Sequence, residues 1–539
     1  MSVRQVSSLS QNSDRSKTFS ILQAGKNAGS YGFSPQSSAD TNVAALQAAL
    51  SGGGMVTVDI PGVYDLNNTV FLDSNTRLIC VPGVIFRKVA PYCNVLINRG
   101  ALTKEYNENI TIDGLEILVN GQEAMPTLVY GLRAQLGFFY VKNLTIRNFT
   151  CADGKECQYL IYIVTWSNLL IENVCLAGDK DGIKLNNGHD AIIRNLDLTT
   201  YDDGLSLCGT DYPSTLLEVG DVCNVCYSNV TDHQYKNIFG RTCLIYTGSW
   251  ADYRKGNGYD SGDFCLNRGN LYQVVNDPCF SAVSSAAPIH KSGIVTSADK
   301  ISWRFVQPCD FYQTNVYNVT FDNCIFEKSG NIVANWIVPS WMWTEYGGGP
   351  HRPFYPGTER NSGSWGISVN NCRITGVNPQ VLVNLMGNMK DVTINGCFFN
   401  NPRCTVINVD QDSVNEELWA SINSCMFLET GSPPAAVSGG GKAALPDHQD
   451  CPILRRDIED AGKLVVVHNG GKVHCNAAGN SYRGSVFECA VSNGSQLRFS
   501  SMDMPLKDLE ILKPSIGDVC RGLDGLYLYK SSGWANLSG

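Results

Sequence analysis

Three short stretches decide the fold: Asn143-Leu-Thr-Ile-Arg-Asn-Phe149, Asn168-Leu-Leu-Ile-Glu-Asn-Val174 and Asp190-Ala-Ile-Ile-Arg-Asn-Leu196. Each opens on a turn residue, alternates through a short strand and turns again at Asn. Their starts lie 25 and 22 residues apart, about one coil of a parallel β-helix. The same grammar occurs upstream in Asn109-Ile-Thr-Ile-Asp-Gly-Leu-Glu-Ile117. Downstream it occurs in Asn318-Val-Thr-Phe-Asp-Asn-Cys324, Gly366-Ile-Ser-Val-Asn-Asn-Cys372, Asp391-Val-Thr-Ile-Asn-Gly-Cys397 and Trp419-Ala-Ser-Ile-Asn-Ser-Cys425. The chain reads as all-β, one parallel β-helix solenoid with long loops where units stand far apart, as between 224 and 318.

Composition agrees. The 539 residues are 17% charged and 43% hydrophobic, with 52 Gly. That excludes disorder, a collagen and a coiled coil. A formal net charge of −9 argues against general nucleic-acid binding. No run of about 18 apolar residues stands in the sequence, so no membrane insertion is expected. Residues 1–20 are polar and show no secretory leader. The 21 cysteines are odd in number and read as reduced, small hydrophobes. Cys324, Cys372, Cys397 and Cys425 hold one place in their units, which predicts an inward ladder. Cys223 and Cys226 form a C-x-x-C with no second pair at zinc spacing, so no metal is expected there, and no cofactor elsewhere. The N-x-T sequences at Asn109, Asn143 and Asn318 follow from the turns of the repeat.

The pattern divides the chain. Residues 1–18 read as a flexible segment, 19–80 as an N-terminal cap with the first coils, and 81–430 as the β-helix. Residues 431–445 read as a linker, 446–513 as a C-terminal β-rich region and 514–539 as a small terminal β-module. Asp40 to Leu50 predicts the capping helix, with Asp40 or Thr41 as its N-cap.

That helix, the Gly turn after it and Met55-Val-Thr-Val-Asp-Ile-Pro-Gly-Val-Tyr64 resemble the opening of pectin-lyase-like right-handed β-helix proteins, bacteriophage tailspikes and depolymerases among them. The central coils resemble the polygalacturonases of glycoside hydrolase family 28. Asp179-Lys-Asp181-Gly-Ile-Lys-Leu185 is followed one coil later by Asp202-Asp203-Gly-Leu-Ser-Leu207, similar to that family's N-T-D and D-D. The resemblance implies Asp202 as general acid, with Asp181 and Asp203 activating water. Glycoside hydrolysis needs one protonated and one ionised carboxyl, and close packing raises the pKa of one of them. The family's G-H-G and R-I-K depart here: Arg241 takes the His place and no R-I-K follows, so the sugar recognised need not be galacturonan.

Further substrate-binding candidates are Lys184, expected to point outward beside Ser206, together with His233 and Trp250. Trp341, Trp343 and Glu345 join them from an aromatic stretch over 336–355. The leading expectation is a homotrimeric phage tailspike, made in the host cytoplasm and carried on the virion tail. It would hydrolyse a bacterial surface polysaccharide internally at the cell surface. A lyase using Lys184, Arg241 and Tyr201 on a uronate polymer is the alternative enzyme. A non-catalytic receptor-binding adhesin is the alternative without chemistry.

Overall fold

The computed structural model describes residues 25–537 except 93, 123–126, 155–158, 212–214, 234–240, 278, 328–329, 339–362, 377–379, 386, 411–416, 429–461, 469, 484–486 and 493. One inward-facing row runs the length of the fold, each residue in register with the next: Val70, Leu96, Leu136, Ile161, Ile183, Leu205, Cys243, Val333, Val383, Ile407, Val465 and Cys489. Every pairing in this row is parallel, so the strands stack coil on coil as a right-handed parallel β-helix. A continuous apolar interior results, because side chains on one strand face alternate in and out.

The row corrects the boundary placed at 430. Val465–His468, Lys472–Ala478 and Gln496–Met502 pair parallel with the preceding coils, so the helix continues through them. Strands Met426–Phe427 and Val465–His468 on either side of the Gly/Pro/Ser-rich stretch belong to this same sheet system, so the β-helix does not end at 430. The last parallel pairing joins Ser501 to Val519, and the antiparallel strands Val519–Arg521, Leu526–Lys530 and Gly533–Asn536 follow. The capping helix is Ala39–Leu50, and its N-cap is Ser38, whose side chain accepts from the Thr41 N–H. Ser is as good an acceptor as Asp, and its position two residues before Asp40 leaves Asp40 in the first turn, favourable for the helix dipole. The segments expected over 1–18 and 431–445 lie outside the described residues.

Two side-chain ladders explain the turns. Asn109 donates to Asn75, Asn143 to Asn109 and Asn168 to Asn143, at 2.8–3.0 Å. On the next corner Asn173 donates to Asn148, Asn195 to Asn173 and Asn229 to Asn195. These residues hold φ between 52° and 60°, the left-handed region Asn tolerates best after Gly. The N-x-T asparagines Asn109, Asn143 and Asn318 thus occupy turn positions where each donates to an Asn of the preceding coil, Asn318 to Asn224 at 3.1 Å. Beside the second ladder, Cys324, Cys372, Cys397 and Cys425 are buried as expected, and every described cysteine is a free thiol.

The long gap after residue 248 holds a folded insertion. Strands Ala251–Asp252, Phe264–Asn267, Asn270–Val274, Ile294–Thr296 and Ser302–Pro308 form a separate sheet. Phe264, Leu266, Leu271 and Val306 of that sheet pack with Leu244, Tyr246 and Ala334 of the β-helix.

Candidate active site

The file that carries the chemistry lies just before three consecutive inward-row residues. Ile183, Leu205 and Cys243 are in register, so Asp181, Asp203 and Arg241 stand two residues earlier on successive coils. The Gly182 N–H donates to the Asp203 carbonyl and the Gly204 N–H to the Arg241 carbonyl, both at 2.9 Å. Glycine follows each Asp because the coils approach closely there: a Cβ at Gly182 would sit 2.5 Å from the Gly204 carbonyl oxygen. The Asp-Gly repeat is therefore set partly by backbone packing, while the Asp side chains are directed at one another.

One carboxylate oxygen from each of Asp181, Asp202 and Asp203 lies within 4.8 Å of the other two. Asp181 and Asp203 are buried, whereas the Asp202 side chain keeps 27% of its exposure. Arg241 bridges two of the acids. Its Nη2 donates to Asp202 Oδ1 at 2.9 Å and its Nε donates to Asp203 Oδ1. Lys180 Nζ donates to the other Asp202 oxygen at 2.7 Å. Ser206 Oγ donates to Asp181 Oδ2 at 2.9 Å. Side-chain cations thus already neutralise much of the cluster where a bound cation would otherwise be needed.

Burial pushes the Asp203 carboxyl up to about 7; Arg241 opposes the rise, and Asp202 and Asp181 add to it. Burial also raises Asp181, with Asp202 adding to it, and Lys184, Lys180 and the Ser206 hydrogen bond oppose. Burial works against the Lys180 ammonium, but Asp202 and Asp181 outweigh it and hold its pKa above the ordinary value. Burial and mutual repulsion therefore favour a protonated carboxyl within the cluster, as a general acid requires.

The other candidates fall elsewhere. Lys184 and Ser206 are in register on the outer face, but both are buried. Lys184 Nζ pairs with buried Asp211 at 2.9 Å and donates to the Tyr159 hydroxyl at 3.2 Å. Burial works against its charge and Asp211 outweighs that, so it stays protonated as half of an internal ion pair. Lys184 therefore offers no open face to a sugar. The covering segment leaves and returns at one point, where the Gly220 N–H donates to the Gly209 carbonyl at 3.0 Å. Trp250 is buried between Phe264 and Phe311, with Nε1 donating to the Phe311 carbonyl at 2.7 Å. It anchors the insertion instead of presenting a face to substrate. His233 sits between Asp197 and Glu327, whose hydrogen bonds raise its pKa against the effect of burial. Trp341, Trp343 and Glu345 lie outside the described residues.

No protein-family model and no curated protein sequence matches the chain. Solved structures do. A double mutant of the tailspike protein of E. coli bacteriophage HK620 superposes with a TM-score of 0.50 at 10% identity, over 90% of this chain and 73% of that one. This chain has the pectin-lyase-like β-helix fold. The family 28 exopolygalacturonase of Yersinia enterocolitica is a further match, with TM-score 0.44, 9% identity, and 88% and 78% of the two chains covered. The surface adhesin PfbA of Streptococcus pneumoniae is another, with TM-score 0.43, 12% identity, and 88% and 99% covered. A β-helix fold alone does not assign chemistry, which rests on the side chains.

Sequence reasoning missed Lys180 and Asp211. Lys180 was within reach: it precedes Asp202 by 22 residues, the same one-coil step that separates Asp181 from Asp203. Asp211 gave no such signal, because its segment leaves the repeat and folds back over the outer face.

Proposed function

We propose that the protein hydrolyses glycosidic bonds of a bacterial surface polysaccharide, with Asp181, Asp202 and Asp203 supplying general acid and base. The single observation that carries this reading is the convergence of three carboxyls within 4.8 Å, one of them pushed up to about 7. That separation is roughly the span of one water hydrogen-bonded to two carboxylates at about 2.8 Å from each. It supports activation of a water by one acid while a neighbour holds a proton. The lyase reading is weakened, because Lys184 is spent on Asp211 and Arg241 on Asp202 and Asp203.

In this reading the chain is a tailspike-type depolymerase, a homotrimer on a phage tail that meets its polymer at the host surface. The test is size-exclusion chromatography of capsular and O-antigen polysaccharides after incubation with wild type and with Asp181→Asn. Shortening by wild type alone supports the proposal. Binding without shortening of any polymer would make the protein an adhesin.

A further inference from the structure

We propose that Trp419 is the platform of a second glycan-binding site, on the outer face of the β-helix, which holds one pyranose unit of a polysaccharide away from the aspartate cluster. This site shares a polysaccharide ligand with the hydrolytic reading, but it needs no cleavage.

The repeat points to it first. Asn143, Asn168, Asp190, Asn318 and Gly366 open their units at φ between 55° and 66°, so the turn selects them. Trp419 opens its unit inside strand Leu418–Asn423, with its N–H donating to the Lys390 carbonyl at 2.9 Å. No turn calls for a tryptophan there. Burial does not call for one either, since Trp419 is 55% exposed. A residue that breaks the local pattern without a folding reason marks a functional position.

A scattered exposed side chain means little by itself, but this ring is held and has a polar partner. In register on the next coil stands buried His474, its ring centre 4.1 Å from that of Trp419. In register on the preceding coil stands Asp391, a short side chain, and the coil before that offers only Gly366. Among the described residues no second ring and no cation packs on Trp419, so the side away from His474 is open to a ligand. Asp391 Oδ1 accepts from the Gly366 N–H at 2.7 Å, while Oδ2 accepts nothing from the described residues. The result is a fixed aromatic face with a carboxylate acceptor about 4.8 Å away, one coil along the axis. A pyranose matches both parts. The C–H bonds on one of its faces meet the negative π-face, and its hydroxyls donate to the carboxylate.

The surroundings favour a sugar over a second copy of the chain. The outward neighbours are Glu417, Ser421 and Thr393, whereas the core of a protein interface needs a wider apolar patch. The site is also separate from the cluster. Trp419 follows Ile407 of the inward row, and Leu205, Cys243, Val333, Val383 and Ile407 stand on five successive coils. At about 4.8 Å per coil, Trp419 lies about 20 Å along the axis from Asp203.

The test is surface plasmon resonance on immobilised, purified capsular and O-antigen polysaccharides. The full chain carries Asp181→Asn as the parent, so that polymers stay whole, and Trp419→Ala and Trp419→Phe are made in that background. The parent should bind at least one polymer. Trp419→Ala should raise its Kd at least tenfold with an unchanged melting temperature and oligomeric size, and Trp419→Phe should recover part of the loss. Equal binding by Trp419→Ala, or no binding by the parent to any polymer, overturns the proposal. So does a change of oligomeric size in Trp419→Ala, which would make the ring a contact between copies. Binding that depends on Trp419, with no polymer shortened by wild type, sinks the hydrolytic reading and leaves this site standing.

Discussion

Removing Asp211 should cost more stability than removing almost any other single charge in the protein. The Lys184 ammonium lies 2.9 Å from Asp211, with side-chain exposures of 3% and 0%. It also meets the Tyr159 hydroxyl at 3.2 Å and the faces of Tyr159 and Tyr162, 4.4 and 5.5 Å from Nζ. Asp211→Ala leaves that cation buried, and breaking such a pair from one side costs about 3–5 kcal/mol. The tyrosine faces offset roughly 1–2 kcal/mol of this. A net loss of about 1–4 kcal/mol is expected, read as a fall in the urea midpoint at constant slope. Lys184→Met should lose a similar amount, since Asp211 would lose its ion pair while keeping the Tyr162 hydroxyl at 3.2 Å. The double variant Lys184→Met/Asp211→Ala should lose much less than the sum, leaving a coupling of roughly 2–3 kcal/mol. The stranded lysine also has a pH signature. In Asp211→Ala its folded-state pKa falls below the unfolded value, so stability should rise with pH toward about 10.4, where the unfolded chain gives up its own proton. Additive single losses, or a flat pH profile, would refute the buried-pair account of Lys184.

Other outcomes follow from the same geometry. Asp203, raised to about 7 from 3.8, holds a proton in the folded state that the unfolded chain has lost. Wild-type stability should therefore fall as pH rises from about 4 to 7, by on the order of 4 kcal/mol at most, and then level off. Asp203→Asn should flatten that slope in urea titrations at pH 5 and pH 8. Asn173 combines a φ of 56° with ladder bonds to both neighbours, so Asn173→Ala should cost about 1–2 kcal/mol in the urea midpoint, and Asn173→Gly should recover the backbone share. Trp250→Ala should cost about 3–5 kcal/mol in thermal or urea melts, yet leave cleavage per folded molecule unchanged.

Much of the fold was legible because a solenoid writes its period into the sequence. One coil of 22 residues links Asp181 to Asp203, and the structure stacks them. The Asn turns and the cysteine ladder were readable for the same reason: a corner that needs positive φ selects Asn on each coil, and an inward position selects a small hydrophobe. Reading failed where the chain leaves the period. Residues 431–445 have a linker's composition, which suggested that the helix ends before them. Only the inward row through Val465 and Cys489 shows that the coils resume after them. Trp250 looked like a sugar platform because an exposed and a core aromatic are written with the same letter. Lys184 sits on the expected outward face, but the segment carrying Asp211 covers it, and no local pattern announces that cover. Arg241 was placed correctly on the coil after Asp203. Its role as a bridge between two acids needed the side-chain geometry.

The central claim is that the aspartate cluster adds water to a glycosidic bond. Its most direct measurement is the chemistry of the new chain ends on a polysaccharide the protein shortens, compared between wild type and Asp203→Asn. The account predicts new reducing ends with no ultraviolet-absorbing unsaturated sugar, and their loss in a folded Asp203→Asn protein. Unsaturated ends from wild type, or wild-type turnover in Asp203→Asn, would contradict it.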